Sequence, residues 1–410
     1  MRKTGRKGMN PFRTLISFDD AKGRLMKDVT PISRVEIVAL ECASGRVAAS
    51  DIVSRVEVPP FDRAAMDGFA VIASETFGSK PHTPRTLELV DLIDVGSMPK
   101  KAISKGECAQ IATGAPMPKG ADAVVMVEDT DTEGKKVHVH APVHPGVNVG
   151  KRGEDVKVGD VIVKSDSLLN PSKVGACAAV GIESVKVYAR PKVALIPSGE
   201  ELVTPGKRLD PGKIYDVNSY TLDALVRAHG CVPVRYPSMR DDPGEIERTI
   251  KKSITECDII VLSGGSSVGS KDYVLYVLSK LGRVEFHGIA VKPGKPTLLG
   301  IIAGKPVLGM PGYPTSCLTN GYALLVDALR KLSRLPVYKP NSIVLPMAHR
   351  VTSTIGRVQL LPVKIERDSV RSVFKESGAI TSLSAADGYI VIPADVDLVE
   401  KGEMVEVDIF

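Results

Sequence analysis

The feature that most constrains this chain is the alternation of strand-like and helix-like segments between Pro191 and about Leu335. Apolar runs (KVALIPS, VPVRYPS, DIIVLSGG) are separated by amphipathic stretches around TLDALVRAHG and EIERTIKKSI. Such alternation implies right-handed βαβ units and a mostly parallel sheet. YVLYVLSKLG, a strand at VEFHGIAV, the β pair TLLGIIAGKPVLGM and a long apolar helix from about Pro314 to Leu332 complete the segment. Open α/β sheets bind ligands beyond the carboxyl ends of their strands, so this segment is the catalytic candidate.

A chain of 410 residues exceeds one ordinary core and is expected to divide into several compact units. Residues 15 to 30 have apolar side chains at helical spacing, and a strand and a short helix follow. Residues 147–188 return to that character after a stretch of short β-like runs such as FAVI and TLELVDLI. We therefore expect 11–54 and 147–188 to form one discontinuous elongated domain, with 55–146 as an inserted all-β lobe. Residues 189–335 then form the α/β domain, and 336–410, with only short strands, a small C-terminal β-barrel. The fold class is multidomain α/β.

The net charge of +6 is modest, Trp is absent, and no basic motif interleaved with aromatics occurs, which argues against nucleic acid as a partner. The basic excess suits a small anionic ligand. No apolar run approaches the roughly 18 residues that span a bilayer, and the basic start is not followed by a signal-type apolar region, so we expect no membrane partner and a cytoplasmic location. Six cysteines lie far apart with no C-x-x-C pair and are read as buried thiols. His138, His140 and His144 are read as a solvated strand face, not a metal site.

Four motifs carry chemistry. In DIIVLSGGSSVGSKDYV an apolar strand runs into Ser263, Gly264, Gly265, Ser266, Ser267, Val268 and Gly269 before a helix, an arrangement that lets backbone N–H groups converge on a phosphate. Asp272 would then cap the helix or hold a metal. AVKPGKPTLLG fixes Lys292 and Lys295 around a Pro-Gly turn as an anion clamp, with solvated hairpin lysines as the plainer alternative. GMPGYPTS puts Pro311, Gly312 and Pro314 in a rigid turn whose following N–H groups, at Thr315 and Ser316, would face an oxyanion.

The acidic pairs Glu154/Asp155, Glu200/Glu201 and Asp241/Asp242 form the fourth signal. Two of them follow the carboxyl ends of expected strands. Carboxylates beside phosphates repel them unless a divalent cation bridges the two, so the combination implies Mg²⁺ or a similar hard ion.

Together with PPFDRAAMDGFAV, IATGAPMPKGADAVVMVED and IYDVNSYTL, these motifs resemble the MoeA family, the molybdopterin molybdenumtransferases related to the second half of gephyrin. The resemblance covers nearly the whole chain. It implies a four-domain homodimer with a MogA-like three-layer α/β domain. The implied reaction joins molybdate, or tungstate, to adenylylated molybdopterin with release of AMP and with Mg²⁺ as cofactor. Carried over by position, Asp67 and Thr113 belong to the β lobe's share of the site, and Asp155, Glu201, Asp241 and Asp272 are its other acidic members. Glu201, Asp241 and Asp272 would be the metal set. Ser263, Gly264, Gly265, Ser267 and Gly269 would bind the pterin or its phosphate, Lys292 and Lys295 would hold anions, and Pro311, Gly312 and Pro314 would sit near the oxyanion. The resemblance also implies active sites shared between subunits and contact with the molybdopterin adenylyltransferase. Departures are Tyr313 for the family's usual Asn, Ser266 for a common Val, and Gly288 where bacterial members carry a lysine. Two other readings stay open: the preceding adenylylation step, whose sister family shares the sheet domain but lacks the extra lobes, and a scaffold role like that of gephyrin's related half.

Overall fold

The computed structural model describes residues 15–264 and 273–410. The chain forms two compact units. One comprises the segment ending at Glu36 together with Tyr188–Phe410, and the other is Ile37–Val187.

The first unit is built on a six-stranded sheet ordered Val232–Arg235, Lys192–Pro197, Ile259–Ser263, Lys305–Met310, Leu298–Ile302, Arg283–His287. The first three pairings are parallel and the last two antiparallel. The mixed end arises because TLLGIIAGKPVLGM folds back on itself, which βαβ alternation alone does not reveal. Both faces of the sheet are covered, so its strands read as continuous apolar runs. Val193, Leu195, Ile259 and Val261 point to one side, where the helices Asn218–Ala228 and Val326–Leu332 and, from before Glu36, Phe18–Asp28 pack. Ala194, Ile196, Ile260 and Leu262 point to the other, under the helices Pro243–Glu256 and Tyr273–Leu281. The expected long helix is helical from Pro314 to Leu332 but contains a π-turn at Gly321–Leu325.

Beyond this sheet, the strands Ser342–Pro346, Met404–Ile409, Gly388–Ile392, Val358–Glu366 and Ser369–Ser372 pair in that order. A bridge from Met347 to Val370 brings the last strand back to the first, around a core of Leu361, Val363, Ile390 and Val407. One further strand, Val291–Lys292, runs parallel to Val358–Glu366 with Lys292 opposite Gln359. The lysine turn is thereby fixed to the C-terminal strands.

The second unit holds another six-stranded sheet, ordered Ala123–Met126, Gly68–Val71, Glu107–Ile111, Arg85–Ile93, Lys136–Val139, Thr130–Glu133. Phe69 and Val71 are buried on one of its faces and Ala70, Ala109 and Ile111 on the other, as the period of two requires. A separate cluster gathers Ala43, Ile52, Val163, Leu169, Cys177 and Val187, so residues on both sides of the sheet segment share one core.

Two expectations need correction. Five cysteines are buried, but Cys42 is exposed, because it closes a 3₁₀ turn at the surface instead of facing the core. His138 and His140 are only half-buried on the strand Lys136–Val139 and just beyond it. His140 Nε2 lies 2.8 Å from Asp131 Oδ2 and His138 Nδ1 lies 3.0 Å from Thr86 Oγ1, so the face is hydrogen-bonded across strands and not simply solvated.

An ion pair ties the start of the first unit to its sheet. Arg34 donates to both oxygens of Asp258 at 2.8 and 2.7 Å, and Lys192 N–H adds a third bond at 2.8 Å. Burial pushes the Asp258 carboxyl up, but the Arg34 bond and the Lys192 N–H outweigh it and the net shift is downward. A depressed carboxylate stabilises the fold above its unfolded pKa and loses that contribution as pH falls through its folded value. Arg34→Ala should therefore lower stability by about 1–2 kcal/mol at neutral pH, reduced from a fully buried pair because the guanidinium is half exposed. Chemical denaturation against pH should show the gap to wild type closing below about pH 4.

Candidate functional site

A cavity of about 1030 Å³ opens in the first unit at the carboxyl ends of its parallel strands. Its size lies at the upper end for ligand pockets, enough for a substrate larger than one nucleotide.

The strand Lys192–Pro197 ends at Ser198, whose N–H donates to Ser263 O at 2.9 Å and whose hydroxyl donates to Asp241 Oδ1 at 3.1 Å. Asp241 thus lines the cavity, as does Glu201. Their sequence neighbours Glu200 and Asp242 are not among its lining. Asp242 instead caps the helix Pro243–Glu256, accepting from Glu245 N–H at 2.8 Å.

Ser263 is buried at the end of the central strand, and Gly264 turns the chain with φ +89°. A Cβ there would lie 2.5 Å from Ser198 O, so only glycine lets the two strand ends approach. Gly265, Ser267, Gly269 and Asp272 lie outside the described residues.

The lysine turn forms another wall. Lys292, half-buried, donates to Thr354 Oγ1 at 3.3 Å, and Lys295 also lines the cavity. Between them Gly294, at φ +114°, leaves no space for a side chain, since a Cβ would meet the Asn320 amide at 2.3 Å. Asn320 is fully buried and donates to Gly294 O at 3.1 Å and to Thr297 Oγ1 at 2.8 Å. That amide holds both lysines in place from within the helix.

Pro311, Gly312 and Pro314 complete the lining, with Gly312 O accepting from Asn218 Nδ2 at 2.8 Å. Of the two N–H groups expected to be free after this turn, that of Thr315 needs a correction, while Ser316 lines the cavity. Thr315 is buried, and its N–H is taken by Ser377 O at 3.1 Å, because the C-terminal segment crosses that helix end.

Reasoning from the sequence missed several lining residues: Ser198, Asn218, Tyr215, Arg357 and Ser377. Tyr215 and Asn218 lie within IYDVNSYTL, where no residue type by itself marks a ligand contact, and Arg357 and Ser377 stand in none of the motifs singled out. Arg357 adds a third cation to Lys292 and Lys295, so three positive side chains share one cavity with the carboxylates of Glu201, Asp216 and Asp241. Among the described residues no cluster of three or more His, Cys, Asp or Glu side chains is placed to hold a metal; the cavity offers Glu201, Asp241 and Asp216, the last of which accepts from Ser219 N–H at 3.1 Å.

Asp67, Thr113 and Asp155 belong to the second unit. Asp67 Oδ1 accepts from Thr113 N–H at 2.7 Å and from its hydroxyl at 2.9 Å. The backbone N–H first, then the hydroxyl, hold the exposed Asp67 carboxyl below the usual range, which keeps it ionised. Asp155 is exposed in a turn and does not join that pair by any direct hydrogen bond between side chains; its N–H donates to Val58 O at 3.1 Å.

Comparison with known proteins gives a consistent picture. Residues 16–181 match the MoeA N-terminal region (domain I and II), residues 194–331 a family described as "Probable molybdopterin binding domain", and residues 344–410 the MoeA C-terminal region (domain IV). The chain is 35% identical over 336 residues to the molybdopterin molybdenumtransferase of a Nostoc species, covering 80% of this chain and 77% of that protein. It is 31% identical over 406 residues to the enzyme of that name from Haemophilus influenzae, covering 97% and 99% of the two chains. A crystal structure of a molybdopterin biosynthesis MoeA protein from Pyrococcus horikoshii superposes with a TM-score of 0.84 at 40% identity, covering 97% of this chain and 99% of that one. No helix among the described residues is long and apolar enough to cross a membrane.

Proposed function

Since this chain belongs to the MoeA family, we propose that it is a molybdopterin molybdenumtransferase that places molybdate, or tungstate, in the dithiolene of adenylylated molybdopterin and releases AMP. One observation carries the reading: Lys292, Lys295 and Arg357 share a cavity with Glu201 and Asp241 at the carboxyl ends of the sheet.

The cations suit the charges of the substrates, a metal oxyanion and the phosphates of the adenylylated pterin. The carboxylates repel those same charges unless a hard cation lies between. Glu201 and Asp241 offer the oxygen donors that Mg²⁺ takes, with substrate phosphates and water completing its shell. Those two residues, with Asp272, would hold the ion. Bound there, Mg²⁺ would neutralise charge on the phosphates as AMP leaves. Ser198 keeps Asp241 oriented by its hydroxyl, and the Asn320 amide keeps the lysine turn in register. The Ser263 and Gly264 turn, closed tightly against Ser198 O, would present backbone to the substrate at the cavity wall.

The decisive experiment incubates the protein with adenylylated molybdopterin and Mg²⁺, with molybdate and tungstate in parallel, and measures AMP. Metal-dependent AMP release is expected, and the ratio of the two rates gives the preference. Inertness with both oxyanions would overturn the reading and favour the scaffold alternative. Family resemblance further assigns Asp155 to the same centre, and Asp67 and Thr113 to it through a second subunit, so mixing inactive Asp67→Asn and Asp241→Asn proteins should restore about a quarter of the activity if subunits exchange at random.

A further inference from the structure

We propose that Tyr313 is a stacking platform for a planar heteroaromatic ring of the substrate. This inference rests on the functional reading above, since it names how one part of that substrate is gripped. Tyr313 lines the cavity and is 66% exposed, a large aromatic surface turned away from any core.

Its position is fixed from several sides. It stands between Gly312 and Pro314, and Gly312 O is held by Asn218 Nδ2 at 2.8 Å. Tyr313 O accepts from Cys317 N–H at 2.9 Å at the start of the helix Pro314–Asn320. Gly378 flanks the ring: a Cβ built on that glycine would lie 3.5 and 3.7 Å from Tyr313 Cδ1 and Cε1. That backbone is itself clamped, because Thr315 donates its N–H to Ser377 O at 3.1 Å and its hydroxyl to Ala379 O at 2.9 Å. A ring carried on a fixed backbone, flanked by a clamped segment and exposed on a cavity wall, offers an open flat face to a ligand. Stacking on it favours any flat heteroaromatic ring over a sugar or an alkyl chain. Two substrate parts have that chemistry, the adenine of the AMP group and the pterin.

The sequence supplies the probe. The protein contains no Trp, so Tyr313→Trp introduces a single tryptophan at the site, excited at wavelengths where the tyrosines do not absorb. Its emission in the full-length protein is titrated with AMP, with pterin-6-carboxylate and with ribose 5-phosphate. Saturable quenching by AMP alone identifies adenine as the stacked ring, and quenching by the pterin alone identifies the pterin. Ribose 5-phosphate, which has the phosphate and no base, should leave the emission unchanged. Equal quenching by ribose 5-phosphate, or no quenching by either ring compound, overturns the proposal.

A kinetic arm guards against a perturbed tryptophan variant. Tyr313→Ala should raise KM in the AMP-release assay about tenfold with little change in kcat, and Tyr313→Phe should restore KM. Unchanged KM in Tyr313→Ala also overturns it. If the wild-type protein releases no AMP, the functional reading fails, while the fluorescence titration still decides whether a ring stacks on this residue.

Discussion

Asp241→Asn is expected to lower AMP release at least about a hundredfold, since a carboxylate that steadies a divalent cation beside phosphates contributes several kcal/mol to the transition state. The fold should tolerate the change. Asp241 is exposed on the cavity wall, and the amide oxygen of Asn can still accept the Ser198 hydroxyl that now reaches Asp241 Oδ1 at 3.1 Å. What is lost is charge, not shape. The midpoint of thermal unfolding should therefore stay near the wild-type value, and half-saturation by Mg²⁺ should move to higher concentration. Asp242→Asn makes the control. Asn is as good an N-cap as Asp, so neither stability nor turnover should change much at that neighbouring position. Equal loss of activity in both variants would mean that the acidic loop acts as a general field and not through Asp241.

The contrast between those neighbours shows what a sequence can and cannot disclose. Asp242 and Glu245 form a capping pattern: Glu245 N–H bonds to Asp242 Oδ1, and the Glu245 carboxylate accepts from Arg240 N–H at 3.3 Å. The spacing of an acid three residues ahead of a glutamate, just before an amphipathic run, is a local rule that separates the two neighbouring acids by itself. The strand Ile259–Ser263 and its glycine turn were legible for a similar reason, because burial on both faces leaves an unbroken apolar run and the close approach to Ser198 leaves a glycine. Arg357 and Ser377 left no comparable trace, and Asn218 stood in the motif IYDVNSYTL with nothing to mark its own role. Each reaches the cavity through a pairing between distant segments: Arg357 precedes a strand whose register sets Lys292 opposite Gln359, Ser377 O meets Thr315 N–H, and Asn218 meets Gly312 O. Nothing in the neighbouring residues of any of these encodes its partner. The π-turn at Gly321–Leu325 leaves no mark either, because a 3.6-residue apolar pattern does not register one inserted residue.

Gly68→Ala should be among the most damaging single substitutions in the chain, although it adds one methyl group. Gly68 lies in a buried strand with neighbours on both sides, opposite Ile111 and Met126. A Cβ at that position would fall 1.8 Å from Val125 O and 2.8 Å from Val125 C, both backbone atoms of the adjacent strand. No rotamer change relieves such a contact, so the two strands must separate and give up paired hydrogen bonds in a closed core, at a cost above about 4 kcal/mol. The damage should extend to chemistry, because Asp67 is the preceding residue and its carboxylate is positioned by Thr113 just beyond the partner strand Glu107–Ile111. Gly23→Ala supplies a comparison of opposite sign. Gly23 is exposed in the helix Phe18–Asp28 with nothing within 4 Å of its would-be Cβ, so the same added methyl group should stabilise by about 0.5–1 kcal/mol. Calorimetry on both variants, with protease susceptibility mapped within Ile37–Val187, reads the two effects side by side. A Gly68→Ala protein that melts with the wild type and resists protease in that segment would show that the strands Gly68–Val71 and Ala123–Met126 pair more loosely than their register requires.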